Sequence, residues 1–209
     1  LPNLHIVDRY LNTLTNFGVI NDGLGLDYFI PEETKLSAAV IDLIQQPYLA
    51  IAIGAQHYTK RLPTAKLIEI CKTIPTKIIL LGGKDDEITG QQIADKCGTH
   101  VVNLAGKLSL NQSALVIKQA QQVITHDTGL MHIAAAFKKP IISIWGNTVP
   151  EFGMGPYYGN QNIPNHIFEV LNLPCRPCSK IGFNHCPKKH FNCMNLQDTA
   201  AIIDAISTS

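Results

Sequence analysis

The chain has 209 residues and a formal net charge of +1, with 45% hydrophobic and 16% charged residues. This composition allows a full core in one large domain, and its near neutrality gives no indication of nucleic acid or acidic lipid as a partner. The longest apolar runs have the length of strands, far below the roughly 20 residues that span a bilayer. No signal peptide is recognisable, and the chain does not begin with Met. We therefore expect a cytoplasmic protein that is the C-terminal part of a longer one.

Two amphipathic helices are predicted before the first strand. Residues 4–17 place apolar side chains at intervals of three and four, and Gly18 can end this helix. Residues 33–45 form the second helix, which stops before Pro47. Residues 21–31 have the turn-forming composition of a connector, so they are not expected to belong to the core.

From residue 48 onward, short apolar strands alternate with helices of about ten residues. Strands are predicted at residues 49–53, 77–81, 101–104, 123–125, 141–145 and 167–171, and helices at 63–72, 87–96, 110–121, 129–137 and 198–206. This alternation indicates right-handed βαβ units and a parallel sheet covered on both faces. The predicted fold class is therefore α/β.

Loops at the carboxyl edge of such a sheet carry the ligand, close to the point where the strand order switches. Four loops are expected there, at residues 54–60, 82–86, 126–129 and 146–156. The sequence contains neither GxGxxG nor a Walker motif, so neither a dinucleotide oxidoreductase nor a P-loop ATPase is favoured.

The run DTGLMH at residues 127–132 follows a strand and opens a helix. Amides of Thr128 and Gly129 at a helix N-terminus can donate to a diphosphate, and His132 lies one turn further on the same face. Asp127 would orient the turn or bind a sugar hydroxyl. The alternative is structural: Asp127 or Thr128 only caps the helix, Gly129 only fits the turn, and His132 is an internally satisfied ring.

A basic residue and a glycine at the same edge add to this hypothesis. Lys60 can neutralise a phosphate leaving group, although a lysine in a loop is more often only solvated. Gly54 would allow the backbone to approach the ligand closely. Asp85 and Asp86 are expected to cap a helix rather than to bind a ribose.

These features follow one another in a characteristic order, which continues to the end of the fifth strand. Its remaining members are Pro63 after Lys60, the glycines 82 and 83, the run NLAG at 103–106, Pro140 and the run WGNTVP at 145–150. In this order they resemble the C-terminal half of the lipopolysaccharide heptosyltransferases, glycosyltransferase family 9. The resemblance covers about residues 48–158, and residues 4–30 are similar to the segment that leads out of the family's first domain.

The resemblance implies one half of a GT-B architecture, with a Rossmann-like domain that binds a nucleotide sugar such as ADP-heptose. Residues 1–30 would be a helix and connector from a preceding N-terminal domain, and residues 31–209 the donor-binding domain, including a Cys-rich segment at 175–193. Gly54, Lys60, Asp127, Thr128, Gly129 and His132 would bind the donor. Transfer to a lipid-linked saccharide would invert the anomeric centre without metal or cofactor, at the inner face of the inner membrane. The catalytic base, an aspartate, would lie in the N-terminal domain, so this chain alone would bind donor without turnover.

Two departures from the family pattern lie beside the predicted site. Leu62 stands where the family often has Trp, and Asn147 where Pro is common, so the sugar or the base can differ from heptose and adenine. Two other functions stay open: a sugar-nucleotide epimerase-like GT-B protein, and a non-catalytic binding module whose cysteines dock a partner. Convergence of Lys60 and His132 on one cleft would argue against the binding module.

Four cysteines cluster near the C-terminal end, at positions 175, 178, 186 and 193, with His185 and His190 among them. Four thiolates suit tetrahedral zinc, but only the first pair has the usual spacing. Disulfides require an oxidising compartment. Reduced structural thiols, a zinc site and two disulfides therefore remain alternatives. Cys71 and Cys97 are predicted to be small buried apolar residues.

Overall fold

The computed structural model describes residues 4–207, which contain a six-stranded parallel sheet. The strands are β1 (Tyr48–Ala52), β2 (Lys77–Leu81), β3 (Val101–Asn103), β4 (Gln122–His126), β5 (Ile141–Trp145) and β6 (Asn165–Glu169). Their order across the sheet is β3-β2-β1-β4-β5-β6. The predicted α/β class with a parallel sheet is therefore confirmed.

Two helices of the described residues precede β1, and the others follow strands. The helices are α1 (Ile6–Asn12), α2 (Ala38–Leu43), α3 (Thr64–Thr73), α4 (Glu87–Cys97), α5 (Leu110–Gln119), α6 (Gly129–Ala136), α7 (Asn192–Asn195) and α8 (Thr199–Ser207). None of the helices in the described residues is both long enough and apolar enough to cross a bilayer.

The two faces of the sheet form two cores, because successive strand residues point to opposite sides. In β1, Leu49 and Ile51 pack into the core beneath α3, α4 and α8, whereas Tyr48 and Ala50 pack into the core beneath α5 and α6. All five residues of β1 are buried. Each fully buried aliphatic side chain contributes about 1.5–3 kcal/mol to stability, so the sheet and its helices form the stable part of the molecule.

The strand order reverses between β1 and β4, which pair in parallel with Leu49 opposite Gln122. The chain proceeds outward from β1 to β3 on one side and from β4 to β6 on the other. The loops that leave β1 and β4 therefore diverge from a common crevice, where ligands of doubly wound sheets bind.

Both N-terminal helices are shorter than predicted. The first is α1 followed by a 3₁₀ turn at Thr15–Phe17, and no residue of either element is buried. Gly18 ends this turn at φ 74°, as predicted. The second helix begins only at Ala38, because the Ser37 side chain accepts a hydrogen bond from the Val40 amide and caps it there.

Candidate functional site

Lys60 and Asp127 form an ion pair at the point where the strand order switches. Lys60 ends a 3₁₀ turn, Tyr58–Lys60, in the loop after β1, and Asp127 directly follows β4. Lys60 Nζ lies 2.7 Å from Asp127 Oδ2, and the two side chains are 14% and 9% exposed. The ion pair shows that Lys60 is not merely a solvated loop lysine.

A third loop contributes to this pair. Thr148, in the loop after β5, donates its hydroxyl to Asp127 Oδ2 at 2.9 Å. Thr148 is 1% exposed, so the hydroxyl is held inside the protein. The carboxylate of Asp127 is thus fixed from two sides, by an ammonium and a hydroxyl, and three consecutive strand ends of the sheet meet at one atom.

The N-terminus of α6 lies immediately beside this pair. Thr128 precedes the helix in an extended conformation, at φ −149° and ψ 165°, and its side chain makes no capping hydrogen bond. A Cβ atom built on Gly129 would meet no atom within 4 Å. Neither Asp127 nor Thr128 therefore serves as a side-chain cap, so these side chains leave the amide donors in the first turn of α6 to other partners.

His132 lies one turn into α6, in the same electrostatic environment. Burial lowers its pKa, the Asp127 carboxylate opposes this, and His5 and Lys60 lower the pKa further. The ring is therefore neutral at neutral pH, with one N–H available as a donor. Lys60, Asp127 and His132 are thus electrostatic neighbours at this edge of the sheet.

A cleft of about 480 Å³ opens on the other side of Thr128. Its walls come from the ends of β1 and β2, from the start of α5 and from the start of α6: residues 54–56, 61, 82–86, 108, 110, 113, 128 and 130. Thr128 lies in the wall of the cleft and directly follows Asp127 in the chain, so it connects the cleft with the Lys60–Asp127 pair. Of the six predicted binding residues, Gly54 and Thr128 line the cleft, while Lys60, Asp127, Gly129 and His132 are not part of its lining.

Gly54 is required by packing inside the protein. A Cβ atom at this position would lie 1.9 Å from Asp86 Oδ2, closer than any real contact. The carboxylate of Asp86 also pairs with Arg61, Oδ1 to Nη1 at 3.1 Å, and Arg61 Nε donates to the Ala55 carbonyl at 2.8 Å. The structure therefore gives a reason for Gly54 that differs from the close approach of a ligand.

Asp86 caps a different element from the one predicted. Its Oδ2 accepts a hydrogen bond from the Gly83 amide at 2.9 Å, at the start of a 3₁₀ turn, Lys84–Asp86. Asp86 makes no side-chain cap at α4. The prediction that Asp86 caps α4 is therefore wrong, because the preceding turn takes up the carboxylate first.

His126, at the end of β4, is a site neighbour that the sequence did not single out. Its Nε2 accepts a hydrogen bond from the Leu62 amide at 2.9 Å. Burial is the main cause that lowers the pKa of His126 to about 4, so the ring stays neutral. It ties β4 to the loop that carries Lys60.

Asn147, at one of the two departures from the family pattern, is 1% exposed, and neither atom of its amide group has a hydrogen-bond partner within residues 4–207. An unsatisfied buried polar group costs about 1–3 kcal/mol. Leu62, at the other departure, is a buried core residue.

The four clustered cysteines are free thiols in the described part of the chain. The Cys178 thiol donates to the Cys175 carbonyl at 2.8 Å, and Cys175 Sγ lies 3.7 Å from His190 Nε2. Burial, followed by the neighbouring thiols of Cys178 and Cys186, raises the pKa of Cys193 to about 11. Between residues 4 and 207, no three Cys, His, Asp or Glu side chains are grouped as metal ligands. Cys71 is buried, as predicted, whereas Cys97 is only partly buried, so the prediction for Cys97 is wrong.

Comparison with known proteins identifies the family of this chain. The protein-family sequence model described as glycosyltransferase family 9 (heptosyltransferase) matches residues 2–184. Lipooligosaccharide heptosyltransferase 2 of Haemophilus influenzae is 36% identical over 116 residues, which are 52% of this chain and 34% of that protein. The chain thus spans about a third of the length of this curated relative.

Solved structures show the same fold. A family 9 glycosyltransferase of Veillonella parvula superposes with a TM-score of 0.76 at 21% identity, over 99% of this chain and 60% of that one. An Escherichia coli heptosyltransferase solved with ADP gives 0.62 at 21% identity, over 99% and 57%. The six-stranded domain is thus one half of a GT-B architecture, as the family resemblance implies.

Proposed function

Because the chain belongs to glycosyltransferase family 9, we propose that it binds the nucleotide-sugar donor of a heptosyltransferase that builds the lipopolysaccharide core. The proposed donor is an ADP-heptose. The observation that carries the proposal is the Lys60–Asp127–Thr148 contact beside the open N-terminus of α6. ADP in the Escherichia coli heptosyltransferase supports the choice of nucleotide.

In this proposal, the donor diphosphate lies against the first turn of α6. The amides of Thr128 and Gly129 donate to its oxygens, and the partial positive charge of the helix N-terminus favours the anion. Gly129 suits this role because no protein atom occupies the space in front of it. The neutral ring of His132 adds one further N–H donor.

Lys60 would stabilise the nucleoside diphosphate as it leaves. Charge grows on the leaving oxygens during glycosyl transfer, and a positioned ammonium in a partly buried place stabilises this charge more strongly than one in water. Asp127 holds the ammonium in place before the donor arrives. Lys60 and the helix amides would supply the positive charge, so the proposed reaction uses no metal or cofactor.

The nucleoside would occupy the adjoining cleft. Its volume of about 480 Å³ lies within the range of roughly 300–1,000 Å³ that is usual for small-molecule pockets. The polar groups in its wall, including the Arg61–Asp86 pair, can select the base and ribose. Thr128, between cleft and ion pair, would then stand at the junction of nucleoside and diphosphate.

The remaining steps are proposed for a longer protein. We propose that residues 1–30 connect to an acceptor-binding domain that supplies an aspartate base, and that residues 31–209 form the donor domain. The acceptor would be a lipid-linked saccharide at the inner face of the inner membrane, and transfer would invert the anomeric centre. The 209 residues alone would bind donor without turnover, so robust glycosyl transfer by this chain would contradict the proposal.

Calorimetric titration of the chain with ADP, ADP-heptose and a UDP-sugar tests donor binding. We expect ADP and ADP-heptose to bind, and Lys60→Ala to weaken both by about tenfold or more, because a hydrogen bond to a charged group is lost. Asp127→Ala releases Lys60 and is also expected to weaken binding, because the ammonium is no longer held in place. Lys96→Ala, at an exposed position of α4, is the charge-matched control.

Three results would count against the proposal in different ways. Unchanged affinity in both Lys60→Ala and Asp127→Ala would place the site elsewhere. A preference for the UDP-sugar would favour an epimerase-like protein. The absence of nucleotide binding by the unmodified chain would remove the donor-binding function itself.

A further inference from the structure

The Cys-rich segment, residues 175–193, holds the two loops on which the Lys60–Asp127 pair depends. It contains little regular structure, with only the two first residues of α7 at its end. On one side, Thr59, next to Lys60, exchanges backbone and hydroxyl hydrogen bonds with Phe183 at 2.8–3.1 Å. On the other side, the Cys178 amide donates to the Asn147 carbonyl at 3.0 Å. The segment therefore contacts the loops after β1 and β5 together.

Arg176 connects this segment to the loop after β5 through two hydrogen bonds. Its side chain is 6% exposed. The guanidinium donates through Nε to the Gly146 carbonyl and through Nη2 to the Thr148 carbonyl at 2.9 Å. Nη2 also pairs with the carboxylate of Glu169 at the end of β6. The buried charge is thus neutralised, and the planar fork reaches two carbonyls of one short loop.

This loop transmits the contact to the proposed donor site. The Thr148 carbonyl accepts a hydrogen bond from Arg176, and the Thr148 hydroxyl donates one to Asp127. Asp127 in turn forms an ion pair with Lys60. A threonine hydroxyl can reach Asp127 only if the backbone of its loop is fixed. Removal of the guanidinium would leave two buried carbonyls without their donor and release the loop.

We propose that Arg176 is a positioning residue for donor binding: it fixes the Gly146–Thr148 loop so that Thr148 holds Asp127, and Asp127 holds Lys60 towards the diphosphate. The inference rests on the proposed function. Arg176 acts through Thr148 and does not touch the donor. A lysine cannot replace it, because one ammonium can keep the ion pair with Glu169 but lacks the two-pronged geometry that binds both carbonyls.

The test is a double-mutant cycle on ADP affinity, measured by calorimetry on the full chain. We expect Arg176→Met and Arg176→Lys each to weaken ADP binding by about tenfold, within the range of coupling between residues in contact. Thr148→Val alone should weaken it similarly. In the Thr148→Val background, Arg176→Met should cause little further loss, because Thr148 is the route of its effect. Lys180→Met, an exposed charge in the same segment, is the control and should bind like the unmodified chain.

Each outcome decides the matter. Unchanged ADP affinity in Arg176→Lys, or losses that multiply fully in the double variant, would overturn the positioning role. Arg176→Lys keeps the ion pair with Glu169, so it carries the test if Arg176→Met does not fold, as judged by circular dichroism. Failure of the unmodified chain to bind ADP would instead refute the proposed function.

Discussion

The sheet domain and the N-terminal segment, residues 4–36, differ in how their apolar side chains are used. Every residue of β1, β4 and β5 is buried. In the N-terminal segment, Phe17 and Ile20 are 81% and 84% exposed. The segment is held to the domain by polar contacts, such as Arg9 Nη2 to the Phe152 carbonyl at 2.7 Å, and by Tyr28, Ile30 and Leu36, which are only partly buried against the core. The comparison teaches that a similar apolar content produces a core only where a sheet brings the side chains together.

The largest expected effect is on the sheet side of this comparison. Ile124, in β4, is 1% exposed and lies in the core beneath α3, α4 and α8. Ile124→Ala is expected to lower the free energy of unfolding by about 2–5 kcal/mol, through lost burial and a residual cavity. Urea denaturation measures the loss. Ile124→Val should cost about 0.5–1.5 kcal/mol, and equal costs for both variants would contradict the packing argument.

Two glycines at the carboxyl edge of the sheet allow a comparison between a crowded and an open position within the domain itself. Gly54→Ala places a methyl group against the Asp86 carboxylate and is expected to cost about 1–3 kcal/mol. Gly129→Ala meets open space and should leave stability unchanged or raise it by about 0.4–1 kcal/mol. Thermal unfolding gives both values.

The same glycine pair also tests the donor proposal. Gly129→Ala should weaken ADP binding despite its stability, because the methyl group occupies space assigned to the diphosphate. Tight ADP binding by this variant would move the diphosphate away from the start of α6.

The pH dependence of the free energy of unfolding should depend on His126, which is buried in the sheet domain. His126 has a folded-state pKa of about 4, below its ordinary value, so the unfolded chain takes up the proton more readily. Its contribution is fully present above about pH 6.5 and is lost as the pH falls towards 4, with a slope of up to about 1.4 kcal/mol per pH unit. Urea denaturation between pH 7 and 4.5 measures this slope.

The matched variant is His126→Gln, which keeps a side-chain acceptor in place of the ring. The difference in unfolding free energy between the two proteins should shrink as the pH falls. A difference that stays constant with pH would show that His126 does not remain neutral in the folded protein.

The smallest effect is expected in the N-terminal segment. Phe17→Ala and Ile20→Ala remove side chains that lie mostly in solvent, so each should change the unfolding free energy by less than about 0.5 kcal/mol. Denaturation of the 209-residue chain measures this. A cost above 2 kcal/mol would mean that the segment packs far more tightly than these exposures indicate.

The sheet was predictable from local pattern, because buried parallel strands are short apolar runs between turns. The strands Lys77–Leu81 and Ile141–Trp145 have the predicted bounds, and the capping box of Ser109 and Gln112 opens α5 as predicted. The extent of residues 4–17 was not predictable in the same way. The spacing of its apolar residues indicates one apolar helix face. Because this face packs on no buried surface, nothing stabilises a helix over the full predicted length.

The site was predictable only in part. Lys60, Asp127 and His132 were singled out by their places after two strands, and these places converge because β1 and β4 are neighbours. Thr148 was noted only as part of the run at 145–150, and Arg176 was not noted at all, because their roles depend on contacts between loops far apart in sequence. Asp86 was expected to cap α4. Its ion pair with Arg61 depends on how the two loops pack, which cannot be read from the spacing of residues in the sequence.

The pairing of β1 with β4 has a kinetic consequence. These two strands are neighbours in the sheet but far apart in the chain, because β2, β3 and three helices lie between them. Contacts of such long range form slowly. Lys60 and Asp127 come together only across this junction, so their ion pair should be acquired late in folding. Amide hydrogens of β1 and β4 would then report, by exchange, when the chain becomes able to hold a diphosphate.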